Sequence, residues 1–307
     1  MRRIGDGAAK YAKGVLTTLG GSSCWACSGV AGQVLFERFG VASAHVIPLC
    51  LVAAGIVVLA IQFARKGREI FRPWKDAAMR RSMLLFVVFG AAANQFTYFQ
   101  TTYYSNAAWA TAICYTSSVL VACYCALRMR KAPSVVRICA LVAVVVGVVL
   151  MSTHGQFSSL AVSPMALIWG CAAAFTFSFC SVQPAQLMER YGNLTVNGWG
   201  FLLGGLLFSV LSRSWELEGT WTAASIALVL FITLGGTVLG YCLYLKGTTM
   251  VGPQDASMLV TVEVFISALL TFLVTGAPLS VSDYVGFVLI VCAGIAVMRE
   301  SNLQRAT

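Results

Sequence analysis

The chain has 307 residues, of which 59% are hydrophobic and only 10% charged, with a net charge of +10. Soluble domains carry about 25% charged residues, so this chain cannot cover a water-facing surface and reads as a polytopic all-α membrane protein. Apolar runs of roughly 20 residues suit bilayer-crossing helices and exclude a β-barrel, whose short strands alternate; with no soluble domain to hold nucleic acid, the basic excess marks the loops on one membrane face.

Breaks at charge, Gly and Pro predict ten transmembrane helices, beginning with 15–36. Arg2, Arg3, Lys10 and Lys13 precede that first span, and no small-residue cleavage site follows a short apolar core, so it is read as a span and not a removed leader. Trp25 and Ser28 lie on it at i, i+3. Cys24-Trp-Ala-Cys27 has metal-ligand spacing, but no second pair and no nearby His accompanies it. All eleven cysteines fall in predicted spans, where Cys packs as a small hydrophobe. No metal and no cofactor are expected. Gly29 and Gly32 let a neighbouring helix approach, and "LFERFG" (35–40) closes the span.

The second span is 45–64, and seven Lys and Arg follow it between Arg65 and Arg81. The third, 82–103, carries "NQFTYFQTTYY" (94–104), which places Asn94, Tyr98 and Thr101/Thr102 at i, i+4 and i+7/i+8 along one face. Tyr103 and Tyr104 suit an interfacial aromatic belt. Span four, 107–127, contains Tyr115, and span five is 135–152. Span six, 164–187, ends in "LMERYG" (187–192), and span seven is 194–212. Span eight, 224–245, carries Gly235, Gly236 and Gly240 with Tyr241 and Tyr244 at i, i+3; spans nine and ten are 253–275 and 282–298. His45 and His154 fall at outer ends, where loop histidines are ordinary.

With ten spans, 19 of the 21 Lys and Arg lie on one side, and only Arg38 and Arg213 on the other. The positive-inside rule then puts both termini in the cytoplasm. The halves repeat: "LFERFG" parallels "LMERYG", and "APSVVRICALVAVVVGVVLM" (132–151) parallels "APLSVSDYVGFVLIVCAGIAVM" (277–298). Residues 1–152 and 153–307 thus hold five spans each. Five is odd, so the second half enters the membrane inverted, as in many secondary transporters.

Apart from Asp283, at the very start of span ten, only Asp255 and Glu263 are acidic within the spans. Asp255 follows Pro253 in a first helical turn, where an acid favours the helix dipole. Glu263 lies ten residues beyond Pro253, about 15 Å deep in a roughly 30 Å hydrocarbon core. A carboxylate there needs a partner or a wet cavity. It either binds a cation, a substrate amine or a transported proton, or it hydrogen-bonds a neighbouring helix and anchors the bundle. Tyr115 is roughly its counterpart in the first repeat. Candidate substrate-binding residues are Trp25, Ser28, Asn94, Tyr98, Thr102, Tyr115, Tyr241, Tyr244 and Glu263, with Glu263 also the candidate coupling residue.

"GGSSCWACSGVAGQVLFERFG" (20–40) and "YLKGTTMVGPQDASMLVTVEVFISALLTFLVTG" (244–276) resemble the first and ninth spans of EamA-type carriers of the drug/metabolite transporter superfamily. That family commonly shows Gly-Pro, small residues, Glu-Pro-Val and Gly-Glu. Gly252-Pro253, Ala256-Ser257, Glu263 and Gly276 match; Val264 stands where Pro is usual, and Ala277 where Glu is usual. The resemblance covers nearly the whole chain. It implies a ten-helix carrier of small metabolites, often amino acids, usually moved outward.

The expected function is therefore secondary transport of an amino acid or related polar or aromatic compound, by alternating access across the cytoplasmic membrane. The alternative is a proton-independent facilitator or exchanger of a nucleoside, sugar or amine. Without a Walker motif, ATP is not the expected drive. An intramembrane enzyme would need clustered acids or a deep His, and a channel a polar ring or re-entrant segment; the sequence offers neither. The expected partners are a small-molecule substrate, protons and membrane lipid, the chain being a monomer or homodimer.

Overall fold

In hydrocarbon each backbone N–H and C=O must find its partner within the segment, so apolar runs of this length fold as helices. The computed structural model describes residues 2–117, 120–121, 124, 134–153, 162–251, 256, 259–260, 262–276 and 280–306. Among them every regular element is helical. Five stretches are long and apolar enough to cross a membrane: Ser43–Lys75, Ala77–Tyr104, Pro164–Val182, Asn193–Leu211 and Ala223–Val251. Asp255 and His154 lie outside the described residues.

Helix α1 spans Arg2–Phe39 and α2 spans Ser43–Lys66. The basic stretch that follows is not an open loop. It winds through a 3₁₀ turn, Gly67–Phe71, into α3, Arg72–Lys75. Ile70 and Pro73 are buried there, and the Trp199 indole donates to Ile70 O at 2.8 Å. The third predicted span is two helices, α4 (Ala77–Phe89) and α5 (Ala91–Tyr104), broken at Gly90. Then come α6 (Ala107–Tyr115), α7 (Val135–Thr153) and α8 (Pro164–Val182). The sixth predicted span also stops early. Pro184 has no N–H to continue the ladder, and "LMERY" sits in a separate helix, α9 (Ala185–Tyr191).

Helix α10 covers Asn193–Leu211. The eighth predicted span runs as α11 (Ala223–Leu230), a nine-residue π-helical segment (Phe231–Leu239) and α12 (Gly240–Val251). Thr237 Oγ1 donates to Ile232 O, five residues back, at 3.1 Å. Helices α13 (Val262–Thr275) and α14 (Val281–Ala306) follow. Ser280 and Asp283 cap α14 reciprocally, backbone to side chain, at 2.8 and 3.2 Å, and Asp283 is buried. His45, placed at a loop by sequence, lies in the first turn of α2, half-buried.

The closest packing pairs are α2 with α10, α1 with α12, α7 with α14 and α5 with α8. Small residues make the approach possible. A Cβ added at Gly55 would lie 2.5 Å from Leu202 N, so α2 and α10 touch backbone to backbone. One at Gly21 would lie 2.8 Å from Tyr244 N, which fixes α12 against α1. The largest apolar cluster holds Leu35, Ile47, Met83, Phe86 and Phe201; a second holds Trp109, Ile113, Phe287 and Ile290.

Candidate functional site

Where α6 crosses α13, the Tyr115 hydroxyl lies 3.0 Å from Glu263 Oε2 and 2.8 Å from Val260 O, so one phenol proton serves two acceptors. Glu263 is 8% exposed. One helical turn along both helices, Thr111 Oγ1 donates to Ser267 Oγ at 3.3 Å and shares a hydrogen bond with Tyr98 OH at 3.0 Å. The spacing explains this two-rung ladder: 111/115 and 263/267 are i, i+4 pairs, which project from one face. The carboxyl group thus sits within a hydroxyl network joining α5, α6 and α13.

The network forms one wall of a cavity of about 80 Å³, more than one water needs. Helix α1 contributes Trp25 and Ser28, and α5 contributes Asn94, Gln95, Tyr98 and Phe99. Thr111, Cys114 and Tyr115 come from α6, Phe177 from α8, Tyr241 from α12 and Glu263 from α13, with Val260 just before it. The break at Gly90 matters here, because Asn94 N donates to Gly90 O at 2.9 Å in the first turn of α5. Close approach of glycine sets two further groups. A Cβ at Gly29 would lie 2.2 Å from Tyr98 OH, and one at Gly240 would lie 2.7 Å from Trp25 Nε1.

Of the nine residues singled out from sequence, the structure brings Trp25, Ser28, Asn94, Tyr98, Tyr115, Tyr241 and Glu263 around this cavity. Thr102 is not among its walls; it is buried, and its hydroxyl donates to Tyr98 O of its own helix at 3.1 Å. Eight residues of α-helix turn it about 80° away from Asn94, a drift the i, i+8 spacing concealed. Tyr244 is also set back. Its ring lies 5.2 Å from that of Trp25, and Tyr241 meets the same indole edge-on at 5.0 Å. Sequence reading missed Gln95, Phe99, Thr111, Cys114, Phe177 and Val260. Thr111, four residues before Tyr115, carried a usable signal; Phe177 and Val260 are apolar side chains like many others in their spans and carried none of their own.

Two buried polar atoms of this set, Trp25 Nε1 and Asn94 Oδ1, have no hydrogen-bond partner among the described residues. One is a donor and the other an acceptor, and a buried group left unmade costs about 1–3 kcal/mol. With the Glu263 carboxyl and several aromatic faces, the cavity offers what a small molecule bearing an amine and a flat apolar part would use. Asn94→Ala removes the unpartnered acceptor and nothing that the fold leans on. We expect ligand affinity to fall about tenfold, the equivalent of about 1.4 kcal/mol, with the melting temperature unchanged. A lower melting temperature at unchanged affinity would make Asn94 a structural hydrogen-bonder.

A second polar cluster lies outside the cavity. Asp76 caps α4 by accepting from Ala78 N at 3.0 Å, accepts the Tyr191 hydroxyl at 3.0 Å, and pairs with Arg190 at 3.0 Å. The Tyr191 hydrogen bond is the main cause holding the Asp76 carboxyl below its ordinary 3.8. A depressed acid contributes stability above its unfolded value and loses it only as pH falls through the folded one. This tie between the start of α4 and the end of α9 therefore stays charged at neutral pH.

Residues 12–153 and 164–299 each match the model of the EamA-like transporter family. Over 293 residues the chain is 34% identical to a protein of Salmonella typhimurium called an uncharacterized inner membrane transporter YicL, covering 94% of this chain and 96% of that protein. A crystal structure with 16% sequence identity superposes with a TM-score of 0.61, covering 97% of this chain and 99% of that one, and this likeness speaks to the fold alone.

Proposed function

Because the chain belongs to the EamA-like transporter family, a multi-pass membrane transporter, we propose that it is a secondary carrier. In this reading it moves an amino acid or a related amine-bearing aromatic compound outward across the inner membrane by alternating access. The observation that carries it is the cavity holding Glu263, Tyr115, Asn94 and Trp25 inside the helix bundle. A carboxyl group within an apolar bundle is a functional candidate by its cost alone.

We read the architecture as ten spans in two inverted halves. Two observations support this. "LFERFG" and "LMERYG" both end their helices at a glycine of positive φ, 64° at Gly40 and 88° at Gly192. The packing also follows an exchange of halves. Numbering the predicted spans, exchange turns the span 1–span 8 contact (α1 with α12) into span 6–span 3 (α8 with α5), and both are among the closest. The pairs span 2–span 7 (α2 with α10), span 5–span 10 (α7 with α14) and span 4–span 9 (α6 with α13) map onto themselves. Tyr115 and Glu263 meet on the last of these.

The test is a thermal-shift screen of purified protein against amino acids, amines, nucleosides and sugars, followed by uptake in proteoliposomes. Ligand at about 100 Kd adds about 2.7 kcal/mol of stability. A stabilising aromatic amino acid or amine that is taken up saturably is the expected result. Stabilisation confined to sugars or nucleosides, with uptake indifferent to a pH gradient, would favour the facilitator reading. Orientation is tested separately: cysteine labelling from outside should reach positions near Arg38 and miss those near Lys66, and the reverse overturns cytoplasmic termini.

A further inference from the structure

Helix α4 carries an arrangement unrelated to the cavity. Arg80 and Arg81 are exposed one turn before Leu84 and Leu85, which are 50% and 49% exposed, and Phe89 continues the same strip at 47%. In a helix these i, i+4 pairs stack, so two guanidinium groups stand directly over a lipid-facing apolar stripe. The positive-inside rule accounts for basic residues in this stretch, but not for two adjacent arginines, Arg80 and Arg81, standing without an ion pair among the described residues. The stretch from Arg65 to Arg81 has two acids, Glu69 and Asp76. Glu69 pairs with Arg72 at 3.0 Å, and Asp76, four residues before Arg80, is taken by Arg190 and Tyr191. Among the described residues, neither Arg80 nor Arg81 has an ion pair.

We infer that Arg80 and Arg81 form a binding site for an anionic phospholipid, its phosphate held by the guanidinium groups and its acyl chain lying along Leu84, Leu85 and Phe89. Guanidinium geometry suits a phosphate, and a basic cluster at the end of a transmembrane helix attracts anionic headgroups. The stripe beneath specifies a lipid over a soluble phosphate, because a headgroup alone leaves it unused. Flanking structure holds the site firm: the Asp76 tie fixes the start of α4, and Met83 and Phe86 are buried on its opposite face.

The test uses full-length protein in detergent with phosphatidylglycerol added as the probe, bound lipid being counted by native mass spectrometry and melting followed in parallel. Wild type is expected to retain phosphatidylglycerol over phosphatidylcholine and to melt higher with it. R80Q/R81Q should bind it roughly twenty-five-fold more weakly, at about fivefold per basic side chain near an anionic surface. Should that variant not fold, R81Q alone should lose about fivefold. Unchanged retention in the folded variants overturns the site. So does equal protection by inorganic phosphate, which would mean that the arginines hold a free anion and that the apolar stripe plays no part.

Discussion

In proteoliposomes Glu263→Gln is expected to fold like wild type and yet lose uptake driven by a pH gradient, by roughly tenfold or more. Gln keeps the size of the side chain and an amide oxygen that accepts the Tyr115 hydroxyl, so the contact between α6 and α13 at 3.0 Å survives. What disappears is the exchangeable proton. If the acid serves only the proton, substrate-for-substrate exchange continues in the variant. If exchange is lost too while the protein stays folded, Glu263 touches substrate. Transport equal to wild type under a pH gradient would remove the coupling role and leave the residue as a hydrogen-bond anchor between helices.

Gly55→Ala is expected to lower the melting temperature sharply, by the equivalent of roughly 2–3 kcal/mol, and Gly55→Val to prevent folding. The new Cβ would lie 2.5 Å from Leu202 N and 2.7 Å from its Cα. Backbone atoms in two regular helices cannot step aside as the end of a flexible side chain can, so the helices must part and the neighbouring contacts loosen with them. On α10, a Cβ added at Gly205 would likewise lie 2.8 Å from Val52 N, so the same seam is tight at a second point and parting the helices at Gly55 loosens that contact too. Ile56→Val is the control. It is adjacent but 55% exposed toward lipid, and thermal unfolding in detergent should hardly register it. Wild-type melting of Gly55→Ala would show that α2 and α10 do not meet this tightly.

Much of this could be read from the sequence because a bilayer imposes a simple rule. Runs long enough to span it must be helical, and polar or aromatic groups inside them stand out. Glu263, Asn94 and Tyr98 were visible for that reason. The breaks were harder. Gly90 and the π segment interrupt their spans without a charge or a Pro to mark the place. Pro184 stands in plain view, but no charge accompanies it, and a Pro in a membrane helix often only kinks it. The apolar walls of the cavity were hidden most completely. Phe177 faces the cavity and Phe175 is 60% exposed, yet the two are chemically identical, and hydropathy cannot tell lipid from ligand.

The π-helical segment Phe231–Leu239 bears on the direction in which a ring points. Its hydrogen bonds reach five residues back, so it is wound more loosely than the α-helices on either side. Tyr241 follows it by two residues, with its ring against Trp25 at 5.0 Å. An α-helix advances about 100° per residue. Tightening the segment by a single residue would therefore swing Tyr241 and Tyr244 by that angle, away from the indole they now flank. The aim of these rings is thus set by winding that begins at Phe231. Ile232 is fully buried and absent from the cavity wall, so a substitution there would act on the two rings through winding and not through contact.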